Sequence, residues 1–168
     1  MEDIRPATRD DVRAILDLLA DDELASHPEA SGSAKGAGPH ISPSSEPGHG
    51  PLAPYLEAFD AITADPNSTL YVARLGERVV GTFQLNVLRH LAHRGGRVAQ
   101  IESVHVASDF RRRGIGEAMM RFASDEARRR GCHRVQLTSN NRRVDAHRFY
   151  ERLGFVPSHR GFKLPLGR

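Results

Sequence analysis

The stretch Ile101-Glu102-Ser103-Val104-His105-Val106-Ala107-Ser108-Asp109-Phe110-Arg111-Arg112-Arg113-Gly114-Ile115-Gly116-Glu117 decides the fold. Val98 to Val106 reads as a strand. Ile115, Ala118, Met119, Phe122 and Ala123 then recur at helical spacing, the strongest such pattern in the chain, with Gly131 as its C′ residue. Two glycines at the turn between them let the backbone approach a ligand closely. A helix N-terminus presents free N–H groups and the positive end of a dipole. With Arg111, Arg112 and Arg113 alongside, this turn suits a pyrophosphate without any metal; a purely structural glycine turn is the alternative. The dinucleotide fingerprint is not met, because Met119 stands where a third glycine belongs, and the Walker pattern is absent.

Working outward, Ile4 to Ala7 reads as an edge strand and Thr8 as the N-cap of a helix running to about Glu23. Residues 26–54 are rich in Gly, Ser, Pro, Ala and His and predict a flexible loop. Tyr55 to Ala64 is helical. Leu70 to Leu75 and Val79 to Leu88 form a hairpin, in which Phe83, Leu85 and Val87 alternate with Thr82, Gln84 and Asn86, predicting one buried face. A polar loop covers Arg89 to Gly96. After the long helix come a strand at Val135 to Thr138 and a helix over Ala146 to Leu153 closed by Gly154. A last strand is expected at Phe162 to Leu166. Early hairpins and a late β-α-β unit make the sheet mixed, in one α/β (α+β) domain spanning 1–168.

Composition narrows the function classes. The chain has 168 residues, 39% hydrophobic, which suits one globular core. Lys plus Arg is 24 against 21 for Asp plus Glu, too even for a dedicated nucleic-acid binder, and the Arg runs lack interleaved aromatics. The single cysteine, Cys132, excludes a disulfide framework and reads as a packed thiol, not a nucleophile. No signal-peptide core and no membrane-length apolar run is seen, so a cytoplasmic location is expected. Nine histidines occur without metal-ligand spacing, so no metal is expected.

Three motifs in order carry a family resemblance. Arg111-x-x-Gly114-x-Gly116 resembles the Q/R-x-x-G-x-G/A motif of the GCN5-related N-acetyltransferase superfamily. Ile101 to Val106 is similar to that superfamily's central strand, and Ala146-His147-Arg148-Phe149-Tyr150-Glu151-Arg152-Leu153-Gly154-Phe155 to its closing helix. The tail from Leu137 to Leu166 resembles the aminoalkylphosphonate acetyltransferases. The resemblance implies a mixed, mostly antiparallel twisted sheet of six to seven strands with about four helices and a splayed central strand pair. It implies acetyl-CoA as co-substrate. Backbone amides from Arg112 to Glu117, Ile115 included, would hold the pyrophosphate, and Val104, His105 and Val106 would lie along the pantetheine. Asn140 would lie near the pantetheine too. Many relatives carry Asn where this chain has Arg143, so the resemblance does not carry that side chain's contact over.

Acetyl transfer to an amine requires the amine to be neutral, whereas a free alkylamine has a pKa of about 10. Glu102 lies mid-strand among apolar neighbours, where an unpaired carboxylate is costly. It reads as a general base, directly or through water, or else as half of a salt bridge to a nearby Arg. Tyr150 lies on the core stripe of its helix, either as a packed aromatic or, by family position, as the acid toward the departing sulfur. His105 points to the face opposite Val104 and Val106 if the strand is regular, although the family's strand often carries a bulge. The expected activity is acetyl transfer to a small-molecule amine by direct attack in a ternary complex. A protein N-terminal or lysine acetyltransferase and a non-catalytic acyl-CoA-binding module are the alternatives. The 26–54 stretch reads as a mobile flap or an inert insertion, and exposed sheet edges leave homodimer pairing open.

Overall fold

The computed structural model describes residues 3–26 and 51–166, with side chains of 22–26 left aside. Five strands make one sheet in the order β1-β2-β3-β4-β5: β1 (Asp3–Pro6), β2 (Ser68–Leu75), β3 (Arg78–Arg89), β4 (Arg97–Val106) and β5 (Cys132–Leu137). The first three pairings are antiparallel and β4–β5 is parallel, so the expected mixed sheet is present. The helices are α1 (Val12–Ser26), α2 (Ala53–Ala64), the single turn α3 (Ala92–Gly95), α4 (Ile115–Arg129) and α5 (Val144–Arg152). Short 3-10 turns at Arg9–Asp11 and Ser108–Phe110 lead into α1 and follow β4. Most of the expected 26–54 loop lies outside the described residues, and Ala53 and Pro54 instead open α2.

The helix starts and stops follow local chemistry. At the start of α1, the Asp11 carboxylate accepts from the Thr8 amide (2.8 Å) and hydroxyl (2.9 Å), closing a capping turn. Arg5 donates two further bonds to it, at 2.8 and 3.1 Å. Gly131 and Gly154 end α4 and α5 in the left-handed conformation, at φ +71° and +89°. The β2–β3 turn is Gly76-Glu77, with φ +59° at Gly76.

Helix α4 fills one face of the sheet. Its Ile115, Met119, Met120 and Ala123 pack with Tyr71, Phe83, Leu85 and Ile101, and the rings of Tyr71 and Phe83 stack at 5.0 Å. A second cluster of Val12, Leu16 and Phe59, with Leu70 against it, places α1 and α2 on the other face. The expectation of one buried face on β3 is therefore corrected. Thr82, on the supposed outer face, is fully buried and satisfies its hydroxyl on the Tyr71 carbonyl at 2.9 Å. Arg130, the last residue of an arginine run, is half-buried. It donates to Thr69 (2.9 Å), Tyr71 (3.0 Å) and Glu126 (2.6 Å), stapling the end of α4 to β2.

Two further expectations are corrected. The sheet has five strands among the described residues, not six to seven. The strand expected at Phe162 to Leu166 does not form: 155–166 enters no helix or strand and pairs with no strand among the described residues. Alternation gives such a segment an apolar face but does not supply a neighbour.

Candidate active site

Strand β4 carries the site. Its pairing with β5 ends at Ile101↔Leu137, while β4 itself runs on to Val106. Over its last five residues, 102–106, β4 has no β5 partner, because β5 ends at Leu137, and its edge on that side is free of strand pairing. On its other edge β4 stays paired with β3, through His105↔Thr82 and Val106↔Gly81.

A bulge in this stretch sets where Glu102 goes. Gln84 pairs with Glu102 and Thr82 with His105, so Ser103 and Val104 together oppose Phe83. Ser103 takes φ +51°, a left-handed value that costs a non-glycine residue about 1–2 kcal/mol. The extra residue reverses the facing of what precedes it. Val104 and Val106 pack against the core, while Glu102 is exposed. The burial penalty expected of Glu102 is therefore not incurred, and its carboxylate accepts from an amide. Gln100 Nε2 donates to Glu102 Oε1 at 2.9 Å.

That contact is the end of a row that sequence reading missed. Arg134 Nε donates to Gln136 Oε1 (3.1 Å), Gln136 to Gln100 (2.8 Å), and Gln100 to Glu102. Beside it, Gln84 Nε2 donates to Ser68 Oγ (2.9 Å) and Asn86 Oδ1 (3.0 Å). The registers Gln84↔Glu102, Asn86↔Gln100 and Gln100↔Gln136 put these side chains side by side on one face. The available signal was parity: Gln84, Asn86, Gln100 and Gln136 all lie at alternate positions of strands.

The loop after β4 is held from several sides. Arg111 Nε donates to the Val106 carbonyl at 3.1 Å, so this side chain braces the turn. Arg112 has φ +61° and Gly114 φ +87°, two left-handed residues in one turn, the kind of conformation from which anion nests are built. Gly114 is the N-cap of α4, and a Cβ there would meet nothing within 4 Å, so its surroundings are open. Gly116 differs: a Cβ would come within 3.3 Å of the Phe149 ring. Its missing side chain thus lets α5 pack onto the start of α4. Arg112 and Arg113 are exposed, Arg113 and Arg78 both lie over the Phe110 ring, and Arg78 forks onto Asp109. Glu117 pairs with Arg121 at 2.7 Å.

Tyr150 is half-buried on α5, edge-on to Phe149 (5.1 Å) and Phe155 (5.7 Å). Asn140 sits in the turn before α5. Its side-chain oxygen accepts from the Arg142 amide at 2.9 Å, and its carbonyl lies 2.9 Å from His147 Nε2. Cys132 is half-buried, and burial pushes its thiol up, against the charges of Arg97 and Arg130. Such a thiol is a poor nucleophile, as expected. No cluster of three metal-ligating side chains occurs among the described residues.

Two grooves flank this region. One of about 490 Å³ lies between α4 and α5, lined by Glu117, Arg121, Asp125, Arg128, Phe149 and Arg152. The larger, about 670 Å³, is lined by Asp10, Asp17, Asp21, Glu77 and Asp109, whose sign opposes a polyphosphate.

A strand that leaves its parallel neighbour, followed by an anion-shaped turn into a helix, matches a known family. The family model of the acetyltransferase (GNAT) family matches residues 39–155. The chain belongs to the GNAT family. It is an N-acetyltransferase of that family by this match and by its relatives. An aminoalkylphosphonate N-acetyltransferase from Salmonella typhimurium is 34% identical over 62% of this chain and 68% of its own length. A glucosamine 6-phosphate N-acetyltransferase from Trypanosoma brucei brucei is 33% identical over 53% of this chain and 58% of its own. Among solved structures, one described as a transcriptional regulator from Bacillus halodurans superposes with a TM-score of 0.81 at 36% identity, over 99% of this chain and 100% of that one. This GNAT chain has no helix, among its described residues, long and apolar enough to cross a membrane.

Proposed function

We propose that this chain moves an acetyl group from acetyl-CoA to the primary amine of a small molecule, in a ternary complex and without a covalent enzyme intermediate. The observation that carries the reading is the end of β4–β5 pairing at Ile101↔Leu137, beside a helix start with left-handed Arg112 and Gly114. An open Gly114 at a helix N-terminus fits a pyrophosphate. Backbone N–H groups from Arg112 to Glu117 would hold it, with Arg112 and Arg113 adding charge and Arg111 bracing the turn. Val104, His105 and Val106 would line the pantetheine, with Asn140 near it. The groove between α4 and α5, where Arg152 lies beside the ion-paired Arg121 and Arg128, would take the nucleotide end.

Acetyl-CoA supplies the activated acyl group and a thiol leaving group. Glu102 takes a proton from the acceptor ammonium, directly or through water, so that a neutral nitrogen attacks. The C–N bond forms as the C–S bond breaks, and the Tyr150 hydroxyl donates to the sulfur. A phenol of pKa about 10 against a thiol of about 8.5 makes hydrogen bonding, more than full proton transfer, its contribution. The row from Arg134 to Glu102 would floor the acceptor site. Its amides suit a polar acceptor, and Arg134 suits an anionic group. The acceptors named for the two relatives, an aminoalkylphosphonate and glucosamine 6-phosphate, combine both features.

A thiol-release assay over small amines and peptides tests this. Release is expected with small primary amines, best with those bearing phosphate or phosphonate. Release with peptides alone would move the acceptor to protein. Acetyl-CoA binding with no amine accepted would make the chain a binding module.

A further inference from the structure

The donor that reaches Glu102 has its direction set two side chains away. A guanidinium carries only donors, whereas an amide has a donor end and an acceptor end. Arg134 Nε donates to Gln136 Oε1 at 3.1 Å, so Gln136 gives its oxygen to the arginine and keeps its nitrogen for Gln100. That nitrogen donates to Gln100 Oε1 at 2.8 Å, and Gln100 Nε2 is left to donate to Glu102 Oε1 at 2.9 Å. Every bond in the row runs the same way, from a fixed cation to a carboxylate. Turning both amides round would set NH2 against the guanidinium and a carbonyl against Glu102. The pairing Gln100↔Gln136 holds the two amides level, and both are half-buried, while Arg134 and Glu102 are exposed. Gln84 stands opposite Glu102 in the register but does not replace Gln100, because its Nε2 donates to Ser68 and Asn86.

We propose that Arg134, Gln136 and Gln100 act together as positioning residues for Glu102, holding its carboxylate through Oε1 so that Oε2 takes the proton of the acceptor ammonium. The proposal rests on Glu102 being the proton acceptor of the proposed reaction. An N–H bond of the ammonium breaks, its electron pair stays on nitrogen, and the proton passes to Oε2. An exposed glutamate left to itself samples several rotamers, and anchoring one oxygen keeps the other in one place. Bonds that run one way along a chain polarise one another, so Gln100 donates more strongly with its oxygen engaged than without. None of the three residues touches the reacting atoms, and each acts through Glu102.

Turnover of a primary amine with no anionic group separates this role from any binding of an anionic acceptor by Arg134. Gln100→Leu, Gln136→Leu and Arg134→Leu are each expected to lower kcat by about three- to tenfold, with KM for acetyl-CoA unchanged. Arg134→Lys keeps a cationic donor and should restore most of the turnover. Gln136→Glu keeps the side-chain shape but has no donor for Gln100, and should lose as much as Gln136→Leu. In a Gln100→Leu background, Gln136→Leu and Arg134→Leu should each cost less than about twofold more, because the row is already cut. Circular dichroism identifies any variant that has unfolded. Losses that multiply in full in that background overturn the proposal, as does an unchanged kcat for Gln136→Leu or Gln136→Glu. Glu102→Gln keeps the two levels apart. If it loses turnover while the row variants do not, the positioning role alone fails; if it turns over normally, the proton-accepting role fails and this proposal with it.

Discussion

At the scale of single residues, Glu102 and Tyr150 carry the chemical reading. Glu102→Gln is expected to lower kcat by roughly 100-fold, the scale of a lost general base. The deficit should shrink as pH rises toward about 10, where solvent already leaves the amine neutral. A deficit independent of pH would remove the proton-accepting role. Gln100→Leu should weaken turnover less, since it frees the carboxylate without removing it. Tyr150→Phe is expected to cut kcat by about tenfold with little change in KM for acetyl-CoA. An unchanged kcat would leave Tyr150 as a packed ring against Phe149 and Phe155. Identifying these residues needed only the motifs, but placing them did not. Glu102 looked costly beside Val104 because a regular strand puts residues two apart on one face, and the bulge at Ser103 breaks that rule.

At the scale of elements, the bulge and the first cap each make a testable claim. Ser103→Gly is expected to keep the bulge and the activity, because glycine takes φ +51° freely. Ser103→Val should cost about 1–2 kcal/mol and lower turnover by turning Glu102. Equal turnover for the two variants would show that the bulge does not aim the carboxylate. At Asp11, burial pushes the carboxyl up, but the Arg5 fork and the Thr8 amide and hydroxyl outweigh it and hold the group below its ordinary value. A carboxylate depressed in the folded state adds stability above its unfolded pKa, about 3.9, and loses it as pH falls through the folded value. Urea midpoints of the native chain should therefore drop below about pH 4, and Asp11→Asn should flatten that drop. The same acid slope in both proteins would contradict it. Helix ends of this kind were legible because Thr8, Gly131 and Gly154 act within one turn. The bulge was not, since one inserted residue leaves no composition signal.

At the scale of the whole molecule, the order of strands and helices was readable from periodicity and glycine punctuation. The cover on both sheet faces and the polar row from Arg134 to Glu102 were not, because they depend on which strands lie side by side. The segment around Phe162, Leu164 and Leu166 was read as a strand of this sheet. Its alternation is real, but alternation does not supply a neighbouring strand. What remains central is the stretch where β4 runs on past the end of β5, next to the turn at 111–116. A crystal structure of the chain with CoA tests it most directly. The account expects pyrophosphate oxygens within hydrogen-bond distance of backbone N–H groups between Arg112 and Glu117, and the pantetheine along Val104 to Val106. CoA bound elsewhere, with those amides untouched, would contradict it.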